Sequence, residues 1–207
     1  MISIQIDTRQ KILDSGKKEF LRWGFKGASM RRIAENAGVT TGAIYLYYRN
    51  KEALFDALVR EPAEPLLSEF RDIHRRFSSH QPDTQIQIMH EYSEEGLSGM
   101  LVYIFEHYTA FKLIVCCSAG TAWETYIDTL VAIEEEATRD FIAILKDRGK
   151  RVLPVDNQLI HILASSLFYG LFEIITHDTE QTKAMKYIDS LQEFYRAGWD
   201  RLLGLKQ

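Results

Sequence analysis

The chain has 207 residues, of which 46% are hydrophobic and 26% are charged, a composition typical of folded globular proteins and unlike disordered or collagen-like chains. We expect a cytoplasmic protein, because no uninterrupted apolar run approaches the roughly 18 residues of a membrane span and no signal peptide is recognisable at the N-terminus. The formal net charge of −4 is uneven, since residues 1–60 hold eleven Lys and Arg against six Asp and Glu and the remaining residues are acidic.

Helical periodicity begins after Thr8, which is suited to cap a first helix. Gly24 is placed to end this helix in the left-handed conformation that glycine adopts without strain. The inward face of the helix is predicted to consist of Ile12, Leu13, Gly16, Phe20 and Trp23.

Two short helices follow, joined by a tight turn at Gly38. Ser29 is predicted to cap the first of them, and Thr40 the second, which covers about Thr41–Tyr48. Two short helices joined in this way form a helix-turn-helix, whose second helix fits the major groove of DNA. The residues predicted to point inward are Ile33, Ala34, Ala37, Val39, Ile44 and Tyr48.

The rest of the chain also has helical periodicity. Asn50 is predicted to cap a fourth helix, whose continuation Pro62 and Pro65 are expected to interrupt or kink. The sequence therefore predicts an all-α fold with about nine helices. The later helices are predicted over about Thr84–His107, Ala110–Cys117, Ala122–Lys146, Asn157–Thr176 and Thr179–Leu203.

The second short helix divides its side chains between an inward and an outward surface. Tyr48 is predicted to seal the small core, whereas Tyr45 and Tyr47 lie on other faces, where their hydroxyls can reach phosphates. An aromatic cluster in the core is the alternative for these two tyrosines. Lys51 adds a positive charge at the start of the next helix, where free backbone N–H groups favour an anion. Together with the basic first 60 residues, this pattern favours contact with DNA.

Many spaced positions between Thr8 and Val59 share one pattern: Ile12-Leu13, Phe20, Gly24-Phe25, Ser29, Ile33-Ala34, Ala37-Gly38-Val39, Gly42, Tyr45, Tyr48, Asn50-Lys51 and Leu54. This quarter of the chain resembles the DNA-binding domain of the TetR/AcrR family of transcriptional regulators. Two positions depart from the family pattern, since Tyr47 stands where His is frequent and Tyr48 where Phe is frequent. With this resemblance, the predicted DNA contacts are Arg31, Thr40, Thr41, Gly42, Ala43, Tyr45, Tyr47 and Lys51.

One helix-turn-helix makes few base contacts, so proteins of this kind usually act as dimers. The last two predicted helices have apolar arcs too broad for a single packing partner, which favours an interface of two helices from each subunit. The TetR resemblance implies the same arrangement, whereas the alternative is that both arcs complete an internal core. The predicted interface residues are Leu163, Tyr169, Phe172, Phe194 and Trp199.

The middle of the chain is rich in aromatic and sulfur-containing side chains. This mixture suits either an ordinary core or a mostly apolar ligand cavity. The TetR resemblance implies an effector pocket in this region. The residues predicted to line it are Tyr103, His107, Phe111, Trp123 and Tyr126.

Adjacent Cys116 and Cys117 make a poor structural crosslink, and we expect two reduced, buried thiols. Combined with Glu106 and His107, they match no familiar zinc spacing, so we predict no metal site and no cofactor. The sequence offers neither an orienting group nor an oxyanion hole for acyl transfer by Cys117. We therefore predict that the protein is not an enzyme.

These observations predict a helix-turn-helix DNA-binding domain at residues 1–52 and a helical effector-binding and dimerisation domain at residues 53–207. The predicted function is that of a homodimeric transcriptional repressor, released from a pseudo-palindromic operator by a small, mostly apolar or aromatic effector. The alternative is a helical DNA-binding protein that responds to a protein partner and has no small-molecule pocket.

Overall fold

A computed structural model describes residues 2–205, with side chains from residue 7 onward. Within this range the chain forms helices and no strand, so the predicted all-α class is confirmed. The helices of the described range are α1 (Ile2–Gly27), α2 (Met30–Ala37), α3 (Thr41–Tyr47), α4 (Lys51–Ser79), α5 (Pro82–Glu106), α6 (Tyr108–Cys117), α7 (Tyr126–Asp147), α8 (Asn157–Thr176) and α9 (Gln181–Leu203).

The helices group into two compact units. Unit 1 consists of Met1–Pro65 and His107–Thr125, and unit 2 consists of Leu66–Glu106 and Tyr126–Gln207. The division by packing therefore falls inside α4 and places α6 in unit 1. The functional division between residues 52 and 53 stays a prediction.

In unit 1, α1 departs from helical geometry at Gly24, where φ is 65° and ψ is 174°. The predicted end of the helix lies at this residue, although a short further turn continues to Gly27. The inward position predicted for Trp23 is wrong, because this side chain is 51% exposed. Its ring lies 5.1 Å from the guanidinium carbon of Arg22 and 5.4 Å from that of Arg32, a cation–π arrangement that stabilises an indole at the surface.

The predicted caps of the helix-turn-helix are confirmed. The Ser29 and Thr40 hydroxyls accept hydrogen bonds from the backbone N–H groups of Arg32 and Ala43, respectively. Gly38 has a φ of 69°, in the left-handed region that favours glycine, and ends α2. Because α3 has only seven residues, it depends on packing for its stability. That packing comes from inward residues that the structure buries as predicted, namely Ile33, Ala34, Ala37, Ile44 and Tyr48.

A buried carboxylate holds the start of α2 against α1. Glu19 is 5% exposed, and its Oε1 accepts hydrogen bonds from Ser29 N–H at 2.9 Å and from Arg32 Nε at 2.7 Å. Arg32 also donates to the carbonyl of Gly27 at 2.7 Å, which joins it to the last turn of α1. A second buried contact, from Ser15 Oγ to the carbonyl of Ile33 at 2.8 Å, fixes the middle of α2.

Several helix boundaries differ from the sequence prediction. α1 begins at Ile2, so the cap predicted at Thr8 is wrong. α5 begins two residues earlier and ends one residue earlier than predicted, and α9 begins two residues later. α4 continues through Pro62 and Pro65, so the predicted interruption is wrong, and buried Ala63 and Leu66 indicate that packing maintains the helix there. α6 begins two residues earlier than predicted. α7 begins only at Tyr126, because the preceding residues form turns in which Thr121 N–H donates to Ser118 O at 2.8 Å.

In unit 2, α7 packs on α8 and α5 packs on α9. With 20 residues and a mean hydropathy of 1.7, α8 is long and apolar enough to cross a membrane. This property was not predicted from the sequence. The buried side chains of α8 account for this composition, because they contribute to the core of the unit. They are Ile160, Ala164, Leu167, Phe168, Leu171, Phe172, Ile174 and Ile175.

We expect Arg32→Met to lower the free energy of unfolding by about 1–3 kcal/mol, because the buried Glu19 carboxylate then loses its cationic partner. Arg31→Met is the matched control, since Arg31 makes an exposed ion pair with Glu35, and this substitution should leave the free energy of unfolding close to that of the unaltered protein. Urea denaturation followed by circular dichroism measures both values. Equal stabilities of the two variants would contradict the role assigned to Glu19.

Candidate functional site

The outward face of α3 is open to solvent. Tyr45 is 51% exposed and Leu46 is 86% exposed, whereas Tyr47 is half-buried. Tyr48 lies inside, 5% exposed, and its hydroxyl accepts a hydrogen bond from Arg9 Nε at 3.3 Å. The predicted separation of Tyr48 from the two other tyrosines is therefore confirmed. Near the start of the helix, Thr41 and Ala43 are half-buried and Gly42 is exposed, so the backbone there lies close to the surface.

Sequence analysis missed Leu46, which has the largest exposed fraction among the exposed large hydrophobic residues of the described chain. Its signal was present in the helical spacing, because position 46 lies opposite the inward Ile44 and Tyr48. An apolar side chain here is not explained by packing within unit 1.

The two predicted cationic contacts differ in their surroundings. Arg31 is exposed, and its Nε donates to Glu35 Oε1 at 2.9 Å, an interaction that raises the pKa of Arg31. Lys51 Nζ instead donates to two backbone carbonyls at the end of α1, Lys26 at 3.3 Å and Ala28 at 3.0 Å. Partial burial lowers the pKa of Lys51, and the nearby Glu19 carboxylate opposes this shift.

Lys51 therefore has a structural role that the sequence did not reveal. An ammonium group has three N–H donors, so one remains after the two carbonyl bonds. The group lies 4.6 Å from the Phe25 ring centroid, which further fixes its position. Beside it, Asn50 Oδ1 accepts from Ala53 N–H at 2.8 Å and caps α4, as predicted.

The residues predicted to line an effector pocket fall into both units. His107, Phe111 and Trp123 belong to unit 1, and Tyr103 and Tyr126 belong to unit 2. Phe111 is fully buried, and burial raises the pKa of Tyr126, with a further contribution from Tyr103. Trp123 Nε1 donates to Asp56 Oδ1 at 3.1 Å, so this indole joins the segment before α7 to α4 within unit 1.

Unit 2 contains a cavity of about 130 Å³. None of the predicted effector-binding residues is among the side chains found to line it in the described part of the chain. Its walls are mainly aromatic and aliphatic, with a polar group formed by His74, Ser93, Glu134 and Thr138. The apolar lining residues are Phe70, Ile73, Phe77, Met89, Tyr92, Gly96, Leu97, Ala137, Phe141, Leu167, Trp199 and Leu203.

The predicted interface residues also differ in exposure. Phe194 is 72% exposed and Tyr169 is 48% exposed, with the Tyr169 hydroxyl donating to Asp128 at 2.7 Å. Leu163 is half-buried. Phe172 is 1% exposed and Trp199 lines the cavity, so these two side chains pack within unit 2 and offer little surface to a partner.

The expectation of two buried thiols holds for one cysteine only. Cys116 is exposed and Cys117 is buried. Burial, together with the neighbouring Cys116, raises the pKa of Cys117 to about 11. Because the thiolate is the reactive form, this environment makes Cys117 a poor nucleophile at neutral pH.

Residues 12–58 match the family described as bacterial regulatory proteins, tetR family. The chain is 41% identical over 58 residues to the HTH-type transcriptional repressor AcnR of Corynebacterium efficiens, which corresponds to 28% of this chain and 31% of that protein. It is 31% identical over 88 residues to the HTH-type transcriptional regulator UidR of Escherichia coli, or 41% of this chain and 44% of that protein. The chain thus spans well under two thirds of the length of these curated relatives.

Solved structures extend the similarity of fold to most of the chain. NalD, the secondary repressor of the MexAB-OprM multidrug efflux pump in Pseudomonas aeruginosa, has a TM-score of 0.57 at 17% identity and matches 92% of this chain and 95% of its own. SmeT, the repressor of the Stenotrophomonas maltophilia multidrug efflux pump SmeDEF, has a TM-score of 0.57 at 19% identity and matches 90% of each chain. Residues 12–58 therefore match the TetR family of bacterial regulatory proteins in sequence, and most of the chain is similar in fold to solved structures of repressors.

Proposed function

We propose that the protein is a homodimeric, cytoplasmic transcriptional repressor that binds a pseudo-palindromic operator and releases it when a small, mostly apolar or aromatic effector binds. In this proposal residues 1–52 contact DNA, and residues 53–207 bind the effector and form the dimer. The observation that carries the proposal is the outward face of α3, where Tyr45 and Leu46 are exposed beside a surface of small residues. The similarity to AcnR, which is named a repressor, supports the sign of regulation.

The α3 surface suits the two kinds of contact that a DNA-binding helix makes, namely contacts to base edges and contacts to phosphates. Thr41, Gly42 and Ala43 allow the start of the helix to approach base edges, and a methyl group there can touch a thymine methyl. Leu46 adds a second apolar contact of this type. Tyr45 and Tyr47 are assigned to phosphates, where hydroxyl donors fix the position of a protein on the duplex.

The remaining predicted contacts lie around α3. Arg31 has the freedom to exchange Glu35 for a phosphate, because their ion pair is exposed and weak. Thr40 uses its hydroxyl oxygen to cap α3 but keeps its O–H proton for donation. Lys51 is held by two carbonyls and keeps one N–H for a phosphate, and it is the first residue of α4, whose free backbone N–H groups also favour an anion.

For the dimer we propose a face formed by α8 and α9, centred on Phe194 and Tyr169. Ile162 and Tyr187, 50% and 45% exposed, extend this apolar surface. Leu163 lies at its edge, whereas Phe172 and Trp199 are removed from the proposed interface because they pack internally.

For the effector we propose the cavity of unit 2 in place of the residues first predicted. Phe111 and Trp123 are assigned to the packing of unit 1, to which His107 also belongs. Tyr103 and Tyr126 remain in unit 2 but do not line the cavity. The cavity favours a small-molecule effector over the alternative of a protein partner, which requires no internal space.

We expect Tyr45→Ala to weaken operator binding about tenfold or more, because each subunit of the proposed dimer loses a hydrogen bond to a charged phosphate. Fluorescence anisotropy with a duplex selected by the protein from a random-sequence library measures the affinity. Tyr48→Phe is the control, since the Tyr48 hydroxyl is bonded to Arg9 within unit 1 and its loss should leave the affinity within about twofold. An unchanged affinity of Tyr45→Ala would refute the assignment of the DNA surface.

We expect Phe194→Glu to convert the dimer into monomers, because a two-fold axis brings like charges from both subunits close together in an apolar interface. Sedimentation velocity measures the oligomeric state. Leu153→Glu, which also places a charge at a partly exposed apolar position of unit 2, should leave the dimer intact. A Phe194→Glu protein that remains dimeric would place the interface elsewhere.

A further inference from the structure

The cavity of unit 2 combines aromatic walls with one acidic group. Phe77 contributes an aromatic corner, with ring centroids 5.5 Å from Tyr92 and 5.6 Å from Phe141. Glu134 is the one Asp, Glu, Lys or Arg among the side chains that line the cavity in the described part of the chain. The lining therefore carries formal negative charge beside electron-rich aromatic faces.

The polar end of the cavity has one buried nitrogen without a hydrogen-bond partner, beside a carboxylate oxygen. Glu134 Oε1 accepts a hydrogen bond from Thr138 Oγ1 at 3.4 Å, which leaves Oε2 for another partner. His74 Nε2 lies 3.3 Å from Glu134 Oε2, yet it is buried and forms no hydrogen bond there. In the neutral imidazole with its proton on Nδ1, Nε2 is an acceptor like the carboxylate oxygen beside it.

We propose that the cavity binds a small aromatic or arylalkyl ammonium ion, with its ring between the aromatic side chains and its N–H groups directed to Glu134 and His74. This inference rests on the proposed function, since it names the chemical class of the effector. The volume of about 130 Å³ suits a single ring, because cavities of ~150 Å³ are known to accommodate benzene. An ammonium group supplies the donors that both acceptors need and is attracted to aromatic faces.

Other ligand classes leave the polar end poorly matched. An anion would lie against the Glu134 carboxylate, and the described lining contains no Lys or Arg to offset the repulsion. A hydrocarbon would fill the aromatic part but would leave the buried His74 Nε2 without a donor and would offer nothing to the Glu134 carboxylate. A neutral alcohol offers one donor and no charge. An ammonium ion therefore forms more favourable contacts with the lining residues than an uncharged or anionic ligand does.

The test compares benzylammonium, benzyl alcohol and benzoate, which share a ring and differ in charge. Isothermal titration calorimetry on the full-length protein should give benzylammonium an affinity about tenfold or more above that of benzyl alcohol, with benzoate weakest. Glu134→Gln should remove this preference while benzyl alcohol still binds. Glu136→Gln, an equal charge change at an exposed site on the same helix, should leave the preference intact.

A blocking variant keeps the inference testable if Glu134→Gln fails to fold. Gly96 lines the cavity, and a Cβ there would lie 3.9 Å from Ile73, so Gly96→Leu should fill the space and abolish binding of all three probes. Equal or tighter binding of benzyl alcohol or benzoate, or amine binding that survives Gly96→Leu, would overturn the inference.

Operator affinity, measured separately by anisotropy, distinguishes this inference from the proposed function. An amine that binds the cavity but leaves operator affinity unchanged would contradict effector release and uphold the ligand class. An operator that is bound tightly by a protein with no preference for the amine would contradict the ligand class alone.

Discussion

The position of the proposed DNA-reading helix depends on one buried carboxylate. α3 is too short to be stable alone, so its orientation depends on its packing against α2. α2 is in turn fixed to α1 by Glu19. A carboxylate removed from water is costly unless donors occupy its oxygens. Here Ser29 N–H and the Arg32 guanidinium donate to Oε1, so a residue that would destabilise a plain apolar core instead joins the start of α2 to α1.

This arrangement changes the meaning of the basic charge in the first 60 residues. Arg32 is committed to Glu19, Lys51 to two carbonyls, and Arg9 to the Tyr48 hydroxyl. These cations contribute to the long-range potential that attracts DNA, but much of their hydrogen-bonding capacity stabilises unit 1. Arg31 is different, because its ion pair with Glu35 is exposed. Charge counted from sequence therefore overestimates the number of side chains that are free to reorient toward phosphates.

Three capping signals can be predicted from the sequence, whereas the long-range contacts cannot. The caps at Ser29, Thr40 and Asn50 involve residues three positions apart, so the residue types alone reveal them. Trp123 and its hydrogen-bond partner Asp56 are 67 positions apart in the sequence, and no periodicity links them. The same limit applies to the cavity, whose walls come from separate stretches of the chain. From sequence alone, an aromatic-rich helix whose side chains fill a core cannot be distinguished from one whose side chains line a cavity.

The broad apolar arc of α8 illustrates how the structure resolves what periodicity leaves open. Phe168 and Phe172 are buried within unit 2, whereas Ile162 and Tyr169 lie on an adjacent, exposed side of the same helix. On α9, Tyr187 and Phe194 are seven positions apart, which places them on one face two helical turns apart. Packing within one subunit buries only the surface that contains Phe168 and Phe172. The other surface, on two helices of the same unit, is the one that we propose for a second copy of the chain, since a two-fold axis pairs one self-complementary patch with itself.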